Sequence, residues 1–363
     1  MIMAPGKRMD RPDAEPDMTQ LSPPVSSAAV YRSPLLDRAS AVPAAGPDTG
    51  VAWHYGDPVA EQRALAAGTA RVDLSHRGVV SITGPDRLSW LHSITTQQLT
   101  GLQPYRSTET LVLSPKGHIE HDLHLVDDGQ TSWVTVEPGT APALTGWLRS
   151  MQFMLRVDVQ DVTLAWAVVG EPVGDESGPG QPLAWRDPWP EVGEGSVAYS
   201  DPDAHPAWTW RELIVPRAEL DALAGEGLAG VWAFEALRIQ AWRPRLGFET
   251  DHRTIPHEVD WLRTAVHLQK GCYRGQETVA RVHNLGRPPR RLVMLHLDGS
   301  EHRWPSAGAE VSLDGRPIGR VTSAGRHFEL GPIALAVVKR NVPLGATLQA
   351  DGIAAAQEPI VTP

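Results

Sequence analysis

One stretch concentrates reactive side chains: His267-Leu268-Gln269-Lys270-Gly271-Cys272-Tyr273-Arg274-Gly275-Gln276-Glu277. Cys272 is the single cysteine of the 363-residue chain, which excludes an intrachain disulfide framework and an all-cysteine metal or cluster site. Lys270 and Arg274 stand two residues to either side of it. Cationic neighbours stabilise a thiolate and draw a cysteine from about 8.5 toward or below neutrality. Gly271 and Gly275 permit a tight or left-handed turn and close backbone approach to a ligand. Cys272 and Lys270 are therefore catalytic candidates. The competing role for a free cysteine is that of a small buried hydrophobe, and a cysteine protease would need a histidine and an orienting group brought together in space.

The second chemically loaded stretch is Gly117-His118-Ile119-Glu120-His121-Asp122-Leu123-His124. Strand alternation predicts that His121 faces with Ile119 and Leu123, and that Asp122 faces with His118, Glu120 and His124. The three histidines could not meet at one ion, since only the outer two share a face, so no metal site is expected and a polar strand face is the simpler reading. Arg281, Arg287, Arg290 and Arg291 could receive an anionic tail or a phosphate, or could form a solvated linker.

The elements that must hold these groups follow from hydrophobic period and punctuation. Residues 59–67 and 86–99 read as helices, the second carrying Leu88, Leu91, Ile94 and Leu99. Residues 110–113 and 118–126 read as a hairpin around Ser114-Pro115-Lys116-Gly117. Residues 141–151, 216–223 and 231–242 suit helices, and 257–266 suits one leading into the thiol. Residues 170–206 are dense in glycine and proline and read as an irregular insertion. From Arg290 onward strands and turns alone follow, including an Asp314-Gly315 hairpin turn, which predicts a small β-barrel or sandwich. The expected class is α+β with an appended all-β domain: 1–48 a proline-rich disordered tail, 49–289 two α+β subdomains, 290–363 the β-barrel.

Composition bounds the partners. The 33 Lys and Arg against 43 Asp and Glu give a net charge of −10, which argues against stable nucleic-acid binding by phosphate neutralisation. No apolar run approaches the roughly 18–20 residues that span a bilayer. The first 17 residues lack an apolar core, and Asp10, Asp13, Glu15 and Asp17 spoil a basic transit peptide, so a reducing cytoplasm is expected.

Lys270-Gly271-Cys272-Tyr273-x-Gly275-Gln276-Glu277 resembles the signature of the YgfZ family, folate-binding proteins similar to the glycine cleavage T-protein. Ile255-Pro256-His257-Glu258, Val279-Ala280-Arg281 and Arg290-Arg291-Leu292 agree with that context. Val72-Asp73-Leu74-Ser75-His76-Arg77-Gly78, Thr83-Gly84-Pro85-Asp86 and Thr95-Thr96-Gln97 resemble the opening of the T-protein fold, and Gly319-Arg320-Val321-Thr322-Ser323-Ala324 its closing barrel.

The resemblance implies three subdomains around a central channel that takes tetrahydrofolate or a derivative. A pterin edge wants a carboxylate or amide acceptor in an apolar slot, and the glutamyl tail wants cations. In the run Leu237-Arg238-Ile239-Gln240-Ala241, Gln240 stands where T-proteins carry a pterin-holding glutamate. Arg238, Gln240, Tyr273, Gln276, Glu277 and Arg281 are the implied cofactor-binding residues. Asp122 matches part of the T-protein catalytic hairpin, with His121 in the first acidic place. Scattered tryptophans, Trp90, Trp133, Trp147, Trp232 and Trp242 among them, could line the pterin pocket or fill core. The implied function is a folate-binding accessory factor in iron–sulfur protein assembly or repair, acting on tRNA modification through cluster-dependent enzymes, with Cys272 as the reactive thiol. Its partners would be folate and iron–sulfur client or assembly proteins, and the chain would be a monomer. The alternatives are a tetrahydrofolate-dependent aminomethyltransferase or demethylase, and a non-catalytic folate-binding scaffold.

Overall fold

Three β-sheets position the charged residues. A computed structural model describes residues 31–362 apart from 202, 226, 301 and 302. The first sheet is antiparallel and five-stranded, in the order Ser107–Leu113, Ile119–Asp127, Thr131–Val136, Gly78–Thr83, Asp158–Asp161. One face packs on the helix Ala141–Ser150, whose Leu144 and Leu148, one turn apart, join Val80, Ile82, Leu123 and Leu125 in a common core. The second sheet runs Leu183–Arg186, Arg211–Pro216, Trp166–Glu171, Arg71–Asp73, Leu228–Ala229, with only the last pair parallel.

From Arg290 the chain closes a six-stranded barrel, as the strand-and-turn pattern predicts. Asp314 and Gly315 both take positive φ at its hairpin turn. The helix Val231–Gln240 lies against the barrel strand Arg316–His327, where Gly325 leaves room for Ala236 and Ile239.

The structure corrects several expectations. Residues 31–48, assigned to a disordered tail, are packed: Leu35 is wholly buried, Ser33 donates to Asp73 at 2.5 Å, and Asp48 meets Arg245. Pro34 and Pro47 here open short 3₁₀ turns, a position where the missing N–H costs nothing. The rest of that tail, 1–30, lies outside the described residues. The glycine- and proline-rich stretch 170–206 carries the strand Leu183–Arg186 and buries Trp185 and Trp189 completely. Two such side chains anchor a segment that has no hydrophobic period. The helix expected over 257–266 is a single 3₁₀ turn, Pro256–Val259, stopped by Asp260 at a left-handed φ of 59°. A full helix instead follows the thiol, at Gln276–Leu285.

A bulge also breaks the predicted alternation. Leu113 pairs with Ile119, but Val112 pairs with His121, so Glu120 is the extra residue. Ile119 therefore turns to a different core from Leu123, while Asp122 and His124 share a face as expected.

Candidate functional site

Asp122 and His124 point from the strand Ile119–Asp127 into a buried ionic centre that joins both sheets and the segment after helix Val231–Gln240. His124 Nε2 lies 3.4 Å from Asp122 Oδ2, and its Nδ1 lies 3.2 Å from Glu212 Oε2 on the neighbouring sheet. Glu212 also accepts from Arg77 and, at 2.6 Å, from the Thr135 hydroxyl. Arg243 donates to Glu109 at 2.6 Å and to Asp187 at 2.9 Å. Arg245 bridges Glu137, Glu235 and Asp48 at 2.7, 2.6 and 3.0 Å.

Charges so far from water survive only when paired, and deleting one partner strands the other. Burial would raise Glu212, yet Arg77 and His124 hold its carboxyl far below the usual range. Burial pushes Glu109 up to about 7 although Arg243 pulls the other way.

The cavity among these groups is narrow, about 20 Å³, room for roughly one water. Four buried side-chain atoms of its lining residues have no hydrogen-bond partner among the described residues: Asp122 Oδ1, Arg243 Nη1, Arg77 Nε and Trp210 Nε1. Buried polar atoms left unpaired, a carboxylate oxygen and guanidinium N–H groups among them, are costly in a merely structural cluster.

Trp208 and Trp210 line the inner cavity and, together with Leu237 and Gln240, an outer cleft of about 340 Å³. Their rings stack at 5.4 Å and 20°. Trp208 is held by its indole N–H, which donates to Asp187 at 2.8 Å. Trp210 lies over Gly170, where any Cβ would run into its ring. Such a cleft matches the volume and apolar walls of small-molecule sites. Gln240, singled out from the sequence, is half-buried and lines this cleft.

Arg238 lines the inner cavity rather than the aromatic cleft. Wholly buried, it donates to Glu235 and Glu249, each at 3.0 Å, and to Ser323 of the barrel at 2.7 Å. Its cation is committed to docking the barrel.

The cysteine loop is a separate structure. Lys270, expected to supply the cation beside the thiol, donates to the carbonyls of His92, Thr95 (2.6 Å) and Gln97 (3.0 Å), closing the C-terminal end of helix Arg87–Ile94. Burial lowers its ammonium to about 8. Arg274 pairs with Glu120 at 3.0 Å. Tyr273 is core, and burial raises its phenol. Gln276 donates to the Lys270 carbonyl at 3.4 Å, and Glu277 pairs with Arg281 at 2.6 Å on an exposed helix face.

Cys272 itself is exposed, and it lines neither the inner cavity nor the aromatic cleft. Gly275, at φ 82°, rests on the hairpin tip: a Cβ there would lie 2.6 Å from the Ser114 carbonyl oxygen and 2.9 Å from Gly117 Cα. The loop is thus seated on the hairpin that carries Asp122, while the implied cofactor residues Tyr273, Gln276, Glu277 and Arg281 line neither the inner cavity nor the aromatic cleft.

Glu109, Asp122 and His124 bring ligand-type atoms within 4.8 Å of one another. Arg243 Nη2 already stands 2.6 Å from Glu109 and 3.5 Å from His124, so the protein supplies its own cation there. Neither Glu109, His124, Glu212 nor Arg243 was singled out from the sequence as a site residue. The available signal was a charged residue inside each of two β-rich runs, Thr108-Glu109-Thr110-Leu111 and Arg211-Glu212-Leu213-Ile214.

Two domain families match this chain: the GCVT N-terminal domain over residues 42–170 and the glycine cleavage T-protein C-terminal barrel domain over 290–357. Among similar curated proteins is a chloroplastic protein of Arabidopsis thaliana whose name marks it as a candidate transferase, 26% identical over 298 residues. That match covers 73% of this chain but only 65% of the Arabidopsis protein, so the chain spans less than two thirds of that relative. The aminomethyltransferase of Parasynechococcus marenigrum is 27% identical over 328 residues, covering 81% of this chain and 86% of that protein. The solved glycine cleavage system aminomethyltransferase T from Bartonella henselae superposes with a TM-score of 0.69 at 20% identity, over 91% of this chain and 95% of that one, a likeness of fold.

Proposed function

This chain is a T-protein-like protein, carrying the N-terminal and barrel domains of that family, and we propose that it is a tetrahydrofolate-dependent aminomethyltransferase or demethylase. The observation that carries the proposal is Asp122: a buried carboxylate with one oxygen against an imidazole and the other without a protein partner. It lines a cavity that shares Trp208 and Trp210 with a cleft of about 340 Å³.

The residues fit a reduced folate. Trp208, Trp210 and Leu237 offer faces for a flat heteroaromatic ring, and the Gln240 amide can both donate to and accept from its edge. Tetrahydrofolate, when bound, supplies the nitrogen that takes the one-carbon unit. The work left to this chain is to exclude water with the two tryptophans, to orient the donor amine by Asp122 and Arg243, and to hold or pass a proton at Asp122 Oδ1. The gap between His121 and the acid that T-proteins carry at that place is covered by Asp122 alone, which faces the cavity where His121 does not.

Similarity to aminomethyltransferases supports this reading over the iron–sulfur role implied by the cysteine signature. The accessory-factor reading, and with it membership of the YgfZ branch, draws on the Lys270–Glu277 motif and on the exposure of Cys272. Against it, Lys270 and Arg274, the cations meant to activate the thiol, are engaged with carbonyls and with Glu120.

Tetrahydrofolate titration followed by tryptophan fluorescence tests the pocket. Quenching is expected, with Gln240→Ala weakening binding by about tenfold and Gln240→Glu tightening it through a charge-assisted bond to the donor-rich ring edge. Binding that is indifferent to both changes would place the ligand elsewhere and remove the proposal.

A further inference from the structure

His124 is a buried ring with a carboxylate at each edge. Nδ1 is 3.2 Å from Glu212 Oε2, and Nε2 is 3.4 Å from Asp122 Oδ2. Its face lies on Trp185, centroids 3.7 Å apart and planes 5° from parallel. Trp185 is itself fixed, wholly buried with its indole N–H donating to the Thr108 carbonyl at 2.8 Å. Glu212 is the firmer of the two carboxylates, since Arg77 and Thr135 also donate to it.

Only a doubly protonated imidazole presents N–H groups to both carboxylates, and its charge gains further from the indole face beneath it. The other charged groups facing the ring are Arg243, with Nη2 3.5 Å from Nε2, and Glu109, to which Arg243 is paired. Burial works against the charge on His124, and the Glu212 and Asp122 carboxylates overcome it, so the group is pushed up to about 10.

We propose that His124 is a positioning residue, an imidazolium clamped by Glu212 and Trp185 that holds Asp122 by Oδ2 and leaves Oδ1 to the cavity. This rests on the reading of Asp122 as the working carboxylate. It assigns a role to a residue that has no counterpart in the motifs from which the family resemblance was read. Glu212, Thr135 and Arg77 act one step further out, by fixing the ring that fixes the acid.

Two measurements on the full chain test it. Side-chain ¹⁵N NMR, with His124→Gln for assignment, should show both ring nitrogens protonated at pH 8; a neutral imidazole at that pH overturns the proposal. In the transfer assay His124→Gln, which keeps bulk and a donor but not the charge, should leave the tetrahydrofolate Kd within about twofold. It should cut kcat by at least tenfold and move the acid limb of the kcat profile to higher pH. An unchanged kcat and pH profile, with any loss confined to Kd or to thermal stability, reduces His124 to a structural residue. Absence of turnover in the unmodified chain would sink the proposed reaction, while the NMR measurement would still decide the state of the ring.

Discussion

Changing Gly275 to alanine should unseat the cysteine loop, whereas the same change at Gly271 should not. Gly275 sits at φ 82°, a conformation that costs an L-residue roughly 1–2 kcal/mol. Its new Cβ would also stand 2.6 Å from the Ser114 oxygen and 2.9 Å from Gly117 Cα. Both are backbone atoms that cannot rotate aside, and forced overpacking adds about 1–3 kcal/mol. Together these put the loss near 3 kcal/mol. Gly271 has nothing within 4 Å of a built Cβ and no positive φ, so Gly271→Ala should stay within about 0.5 kcal/mol of the parent. Guanidinium denaturation followed by fluorescence reads the difference: with m of order 5 kcal/mol/M, 3 kcal/mol moves the midpoint by about 0.6 M. Gly117→Ala presses on the same seat, with a Cβ 2.7 Å from Thr278 Cβ, so the double variant should lose less than the two single losses added. Equal midpoints for Gly271→Ala and Gly275→Ala would refute the seating of the loop on the hairpin.

Lys270→Met keeps the aliphatic stem but leaves the His92, Thr95 and Gln97 carbonyls without their shared donor, so denaturation should show a loss of about 3 kcal/mol. A variant that kept its stability and lost only activity would restore Lys270 as a catalytic group. Burial holds His257 down at about 4, against about 6.5 when unfolded. The unfolded chain therefore binds more protons between those values, so this contribution is present above pH 6.5 and fades as pH falls toward 4, by up to about 3 kcal/mol. Stability measured across pH 4–7 should fall less steeply in His257→Gln; parallel curves would contradict this.

Elements with a clear period were legible in the sequence. Helix Ala141–Ser150, the strand pair around Ser114–Gly117 and the closing barrel all follow patterns of 3.6 or 2 residues. What escaped was held by side chains rather than by period. Trp185 and Trp189 fold the 170–206 stretch, and Asp48 secures the segment before residue 49 through Arg245. At the site, Asp122 and Gln240 could be named because they stand in recognisable runs. His124 and Glu212 could not, because their meaning comes from two sheets meeting, at a separation of 88 positions in the chain. Local charge misled at Lys270: two positions from a cysteine, its ammonium serves the end of a different helix.

The most direct measurement is the yield of methylenetetrahydrofolate, with the ammonia released, from an aminomethyl donor, comparing the parent chain with Asp122→Asn and Cys272→Ala. The expected result is product from the parent and from Cys272→Ala, and at least a hundredfold less from Asp122→Asn at similar folate affinity. Product that survives Asp122→Asn but vanishes with Cys272→Ala would move the chemistry from the buried carboxylate to the exposed thiol.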